Sequence, residues 1–137
     1  MMTQKYIDDL TYTVIGCGIE VHKELGPGLL ESVYEKCFIR ELSLKHISYR
    51  RQEIIEMSYK GIVVEADLRF DVLVHDVLVV ELKAVDKILP VHQAQLLTYM
   101  KLMQKPKGLL LNFNCCNLFK EGQKTLVNDI YAALPKV

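Results

Sequence analysis

The sequence predicts a domain of the α/β class. Three observations carry this: segments with apolar residues at helical spacing, runs that are apolar on both faces of an extended chain, and the order in which these follow one another. That order is helix, helix, three strands, helix, and a strand-rich close.

The elements follow in sequence. From about Gln4 to Leu25, the residues Ile7, Leu10, Val14, Cys17, Val21 and Leu25 recur at spacings of three and four, one stripe of a helix. Gly26-Pro27-Gly28 stops it. A second helix starts near Leu30 or Glu31 and runs to about His46, with Leu30, Val33, Tyr34, Cys37, Phe38 and Leu42 as its apolar arc. Tyr49 to Tyr59 is β-prone, Gly61 marks a turn, and Ile62 to Val74 forms a second extended run. His75-Asp76 then turns the chain into Val77 to Val85. Pro90 sits where a helix can begin, and Val91 to Gln104 carries helical spacing. Lys105-Pro106-Lys107-Gly108 ends it, and Gly108 to Phe113 reads as a buried strand. Towards the end, Lys124 to Asn128 suits an edge strand and Asp129 to Leu134 a short helix, an ambiguity the residues leave open.

With 137 residues, the chain fits one domain, 1–137, and can bury a real core. Half the residues are hydrophobic and a quarter charged, with no low-complexity tract, so the whole length is expected to fold. Seventeen basic and seventeen acidic side chains cancel, so global charge announces neither a nucleic-acid nor a membrane partner. Any anionic ligand must be met by local charge. Cys17, Cys37, Cys115 and Cys116 show neither zinc-site spacing nor a disulfide framework, and are expected to be reduced thiols of a cytoplasmic protein. Acidic residues by Asp8 and the lack of an uninterrupted apolar run predict no signal peptide and no spanning helix.

One strand carries charge where charge is costly. Seven of the nine residues from Val77 to Val85 are apolar and both faces of the alternation are apolar, yet the strand includes Glu81 and Lys83. Residues two apart point the same way, so carboxylate and ammonium project together from a largely buried strand. A simple ion pair at a strand end is one explanation. Other polar residues supply a different one. A symmetric hairpin about His75-Asp76 brings Asp71 level with Val80 and Glu81, and two adjoining carboxylates are commonly relieved by a divalent cation. Asp67 is an alternative four residues earlier. On the second helix, Glu31 falls on the side spanned by Tyr34, Phe38 and Leu42, which predicts that it faces the core; a first-turn carboxylate favoured by the helix dipole is the competing account. On the third, Gln95 and Tyr99 share a face at the edge of the stripe of Leu96, Met100 and Met103.

Together these residues resemble a known family. Gly28-Leu29-Leu30-Glu31-Ser32-Val33-Tyr34 is similar to the pattern of the GxxExxY family, and Asp71, Glu81-Leu82-Lys83 and Gln95-x-x-x-Tyr99 follow in the order seen in PD-(D/E)xK nuclease-like proteins. The likeness runs from about Ile7 to Asn112. It implies a restriction-endonuclease-like core, a mixed β-sheet flanked by α-helices. The Gln-x-x-x-Tyr element resembles the helix motif that follows the catalytic lysine in RecB-type nuclease domains. No proline precedes Asp71, where Phe70 stands.

The resemblance also implies roles. Asp71 and Glu81, with Glu31 reaching in from its helix and the main-chain carbonyl of Leu82, hold Mg²⁺ or Mn²⁺. Lys83 sits by the attacking water and the phosphate, Gln95 fixes the water or the lysine, and Tyr99 bonds a phosphate or a carboxylate. Tyr34 supports Glu31 or meets substrate, and His92 is a second candidate substrate contact. Lys45, His46, Arg50, Arg51, Lys87, Lys101, Lys105 and Lys107 are the basic residues available for phosphates. The implied activity is metal-dependent hydrolysis of phosphodiester bonds in DNA or RNA. Two alternatives stay open: a nucleic-acid-binding module or partner-dependent subunit without intrinsic cleavage, and a structural interaction domain that keeps the polar residues as a network. A homodimer would suit a duplex substrate.

Overall fold

The computed structural model describes residues 1–137. The helices are α1 (Gln4–Leu25), α2 (Glu31–Leu44), α3 (Pro90–Met103) and α4 (Asp129–Ala132). The strands are β1 (Tyr49–Arg51), β2 (Ser58–Tyr59), β3 (Ile62–Val63), β4 (Val72–Val74), β5 (Leu78–Lys83), β6 (Lys107–Asn112) and β7 (Gln123–Val127). Five of them make one sheet in the order β1-β4-β5-β6-β7. It is mixed: β5 and β6 run parallel, joined by the α3 crossover, and the other pairs are antiparallel.

Helices cover both faces of this sheet, which is why β5 is apolar on both. Leu78, Val80 and Leu82 of β5, with Leu109 and Leu111 of β6, pack under α1 and α2 against Val14, Cys17, Tyr34 and Phe38. Val79 and Leu110 face the other way, onto Leu96, Tyr99 and Met100 of α3. All residues of β6 are buried. Gly108 lets α3 approach closely, since a Cβ there would lie 2.7 Å from Met100 Sδ and 2.8 Å from Leu96. No helix is long and apolar enough to cross a membrane. The four cysteines are unpaired.

Several boundaries match the sequence reading closely. Thr3 caps α1 by accepting the Tyr6 N–H at 3.0 Å, and Gly26 ends it with φ 68°. The β4–β5 turn uses two left-handed residues, His75 (φ 51°) and Asp76 (φ 58°). Pro90 opens α3, and Gln104 closes it in the left-handed region.

The long extended runs are a correction. Tyr49 to Tyr59 is not one strand: Gln52 turns out of β1 with φ 51°, and the next strand is β2. Ile62 to Val74 is likewise broken between β3 and β4, where an isolated bridge between Ile54 and Arg69 and the Gln52 N–H on the Asp71 carbonyl tie the two segments together. Consequently β2 and β3 form a separate two-stranded hairpin around Gly61. The buried strand expected from Gly108 is β6, which starts one residue earlier at Lys107; the Lys107 ammonium reaches Asp8 at 2.9 Å from a nearly buried position. Strand and helix both form near the C-terminus, with Asn128 Oδ1 accepting from Ile130 and Tyr131 N–H to start α4.

Candidate active site

The site lies where β4 and β5 part. Their ladder pairs Val72 with Val80, Leu73 with Val79 and Val74 with Leu78, so the next pair in register is Asp71 with Glu81. Side chains then replace the ladder: the Asp71 N–H donates to Glu81 Oε1 at 3.4 Å, and the Leu82 N–H donates to Asp71 Oδ2 at 2.8 Å. Because strand residues alternate, Glu81 and Lys83 share the face of Val79, the face covered by α3. Glu81 is buried and Lys83 half-buried. The Lys83 ammonium forms no hydrogen bond or ion pair with any side chain, so the simple Glu81–Lys83 ion pair is not formed.

Burial pushes the Glu81 carboxyl up to about 9, and the neighbouring Asp71 carboxyl adds to the shift; Lys83 opposes it. Without a cation, this favours the protonated form of Glu81 beside the Asp71 carboxyl. Two adjoining carboxyls are a donor set whose repulsion a divalent cation can relieve in place of a proton.

Two predicted partners arrive on α3. The Gln95 Nε2 donates to the Tyr99 hydroxyl at 3.3 Å, the i,i+4 relation expected from spacing. Tyr99 is buried and Gln95 exposed. Burial first, and then the Glu81 and Asp71 carboxyls, raise the Tyr99 phenol above its ordinary range, so it remains a neutral donor. His92 Nδ1 accepts the Leu89 N–H at 3.0 Å and caps the helix start, which leaves Nε2 as its remaining polar atom.

Glu31 and Tyr34 sit differently from expectation. Glu31 is exposed rather than core-facing: α2 packs on the face of the sheet opposite α3 through Tyr34, Phe38 and Leu42, and Glu31 lies outside that contact. Its carboxylate accepts the Ala84 N–H at 3.1 Å, which tethers α2 to the end of β5. Tyr34 is fully buried, stacked on Phe113 with centroids 4.4 Å apart. Its hydroxyl donates to the Gly26 carbonyl at 2.6 Å and accepts the Leu29 N–H at 3.2 Å. It therefore fastens the α1–α2 loop, in which Gly28 holds φ 102°, and offers no surface to a substrate. The Gly28, Glu31 and Tyr34 motif is thus a device of chain geometry, and the sequence reading of Tyr34 as a substrate contact is corrected by its burial.

A neighbouring network was not anticipated from sequence. Glu35, one turn after Glu31, is buried and accepts from Arg51 Nε at 2.9 Å and Nη2 at 2.6 Å. Gln52 Nε2 donates to Glu35 Oε1 at 2.7 Å and to Asp71 Oδ1 at 3.2 Å. At a hundred degrees per residue Glu35 falls about 20° from Leu42, a signal of burial that the helix arc already contained. These residues, with Glu31, Ser32, Asp71 and Leu82, line a cleft of 320 Å³. Larger clefts of 430 and 440 Å³ lie away from the carboxyl pair, one around His75 and Asp76 and one beside the β2–β3 hairpin.

Do these donors suit a divalent ion? No group of three or more His, Cys, Asp or Glu side chains converges here; the Glu31 carboxylate, bonded to the Ala84 N–H, lines the same cleft as Asp71. Two adjoining carboxylates nonetheless fit Mg²⁺ or Mn²⁺, since Mg²⁺ is commonly held by one or two carboxylates with water and substrate phosphate completing its octahedron.

The carboxylate pair, the lysine two residues on and the five-stranded mixed sheet flanked by helices define a restriction-endonuclease-like domain. The family model of the PD-(D/E)XK nuclease superfamily matches residues 8–126, and the chain belongs to that superfamily. Divalent metals such as Mg²⁺ and nucleic-acid substrates are general to its nucleases. No curated protein and no solved structure gives a significant match.

Proposed function

We propose that this chain is a metal-dependent nuclease that hydrolyses phosphodiester bonds in DNA or RNA. One observation carries the reading: two carboxyls opposed at the parting of β4 and β5, with an unpaired lysine on the same strand face, in a chain of a nuclease superfamily. Asp71 and Glu81 hold Mg²⁺ or Mn²⁺, with the Leu82 carbonyl as a further oxygen. When bound, such an ion supplies Lewis-acid stabilisation of the phosphate and lowers the pKa of a bound water.

The chain's own groups do the rest. Lys83 donates to the attacking water and to a non-bridging phosphate oxygen, which orients attack and offsets the charge that builds in the transition state. Water oxygen bonds to phosphorus and its proton passes to solvent, the P–O bond to one sugar breaks, and the leaving oxygen takes up a proton from solvent. Gln95 has a free amide oxygen for Lys83 or the water, because its amide N–H is directed to Tyr99. Tyr99 donates its phenolic proton to a carboxylate or phosphate oxygen. His92 meets a phosphate through Nε2–H. Within the superfamily we assign the chain to the GxxExxY group, on Gly28, Glu31 and Tyr34.

The test is Mg²⁺- or Mn²⁺-dependent cleavage by the purified protein. Asp71→Ala, Glu81→Ala and Lys83→Ala each abolish it while the protein stays folded; cleavage persisting in all three overturns the reading.

One observation favours a second reading, a nucleic-acid-binding subunit that cleaves only with a partner. Among the candidate phosphate contacts, Arg50, Arg51, Lys105 and Lys107 are held in ion pairs with Glu53 and Asp76, Glu35, Asp76 and Asp8 respectively. That leaves Lys45, His46, Lys87 and Lys101 of that set to meet phosphates, on a chain of zero net charge. Salt-sensitive binding with no hydrolysis by the pure protein distinguishes it.

A further inference from the structure

We propose that Gln52 is a positioning residue for Asp71, anchored by the Glu35–Arg51 pair. The inference deepens the metal-dependent reading above and rests on it.

Asp71 needs such a device. It stands one residue beyond the last ladder pair of β4, where side-chain bonds take over from the β4–β5 ladder, and a ligand displaced by about 1 Å can cost a hundredfold in rate. Its two carboxylate oxygens are gripped from opposite sides. Oδ2 accepts the Leu82 N–H at 2.8 Å and Oδ1 accepts Gln52 Nε2 at 3.2 Å. Each oxygen keeps a second lone pair for a cation.

Gln52 is itself locked. Its φ of 51° is uncommon for a residue with a side chain and turns the chain out of β1 beside the site. Its backbone N–H donates to the Asp71 carbonyl at 3.0 Å, and Arg69 Nη1 donates to its own carbonyl at 3.2 Å. An amide nitrogen has two protons, and here both are used: one on Asp71, one on the buried Glu35 at 2.7 Å. Glu35 in turn cannot drift, since its other oxygen takes both Arg51 Nε and Nη2. The result is a chain of fixed contacts from α2 through Gln52 to the carboxylate on β4. Such partners of metal ligands commonly change metal affinity by about 10- to 100-fold when removed.

Gln52→Met tests this, since methionine keeps the length of the side chain and removes its donor. Calorimetry with Mn²⁺ alone is the first readout, and cleavage kinetics the second. Expected is an affinity at least about tenfold weaker than wild type, with kcat lowered and KM for nucleic acid little changed. Gln52→Glu, which places a third acceptor between two carboxylates, weakens Mn²⁺ binding by the same measure or more. Thermal melting of both variants without metal identifies any that fail to fold, and the folded one decides. Mn²⁺ binding unchanged in a folded variant, while Asp71→Ala loses it, overturns the role of Gln52 alone. A wild type that binds no Mn²⁺ overturns the metal reading and this inference with it.

Discussion

Asp71 and Glu81 face each other one step beyond the last pair of the β4–β5 ladder, and the Asp71 N–H donates to a Glu81 oxygen at 3.4 Å. Two acidic side chains at such a position work against folding unless one is protonated or both share a cation.

This gives the metal-free protein a pH dependence of known sign. The Glu81 carboxyl rises from 4.5 to about 9 in the fold, chiefly through burial. A raised carboxyl stabilises fully below the unfolded value and loses that contribution as pH climbs through the folded value. Thermal melts in chelator should therefore fall between about pH 4.5 and about pH 9, by on the order of a few kcal/mol in total. Glu81→Gln should flatten that slope and be the more stable protein at pH 8. An unchanged slope in the variant would show that Glu81 is not the group responsible.

The Glu35–Arg51 pair makes a separate prediction. Glu35 has 8% of its side chain exposed and Arg51 41%, so removing the arginine strands a buried carboxylate. Arg51→Met should cost about 3 kcal/mol by denaturant unfolding, and Glu35→Met in the same chain should recover most of it. A single variant as stable as wild type contradicts the pairing.

Tyr34→Phe separates structure from chemistry. It removes a donor to the Gly26 carbonyl and an acceptor for the Leu29 N–H, both in the α1–α2 loop. A loss of about 2 kcal/mol is expected, with kcat and KM near wild type. A large rise in KM at unchanged stability would return Tyr34 to the substrate surface.

Gly108→Ala tests how α3 is seated. The added methyl meets Met100 and Leu96 inside 3 Å, so the helix must shift or the chain must strain, at about 1–3 kcal/mol. Since α3 carries Gln95 and Tyr99, cleavage should fall with stability. Full activity in a destabilised variant would mean that these two residues tolerate displacement.

How much of this was legible beforehand varies by the kind of physics involved. Alternation along Val77 to Val85 put Glu81 and Lys83 on one face, the His75-Asp76 turn set the register that opposes Asp71 to Glu81, and helical spacing paired Gln95 with Tyr99. Each depends on local periodicity alone. The reading of Glu31 failed because the helix arc says which residues share a side, but not which side a neighbouring helix or sheet covers. Glu35 lies on the same arc and is the one buried. Gln52 was invisible for another reason: its role depends on a left-handed turn that a glutamine does not announce. The broken strands share that cause, since β-prone composition persists through Gln52 while the backbone does not.

Anomalous diffraction from crystals grown with Mn²⁺ shows whether Asp71 and Glu81 hold one divalent cation beside Lys83. A single strong peak is expected about 2.1 Å from a carboxylate oxygen of each residue, with the Lys83 ammonium on the same side of the sheet. A peak elsewhere, or carboxyls still bonded to each other with no metal between them at saturating Mn²⁺, would contradict it.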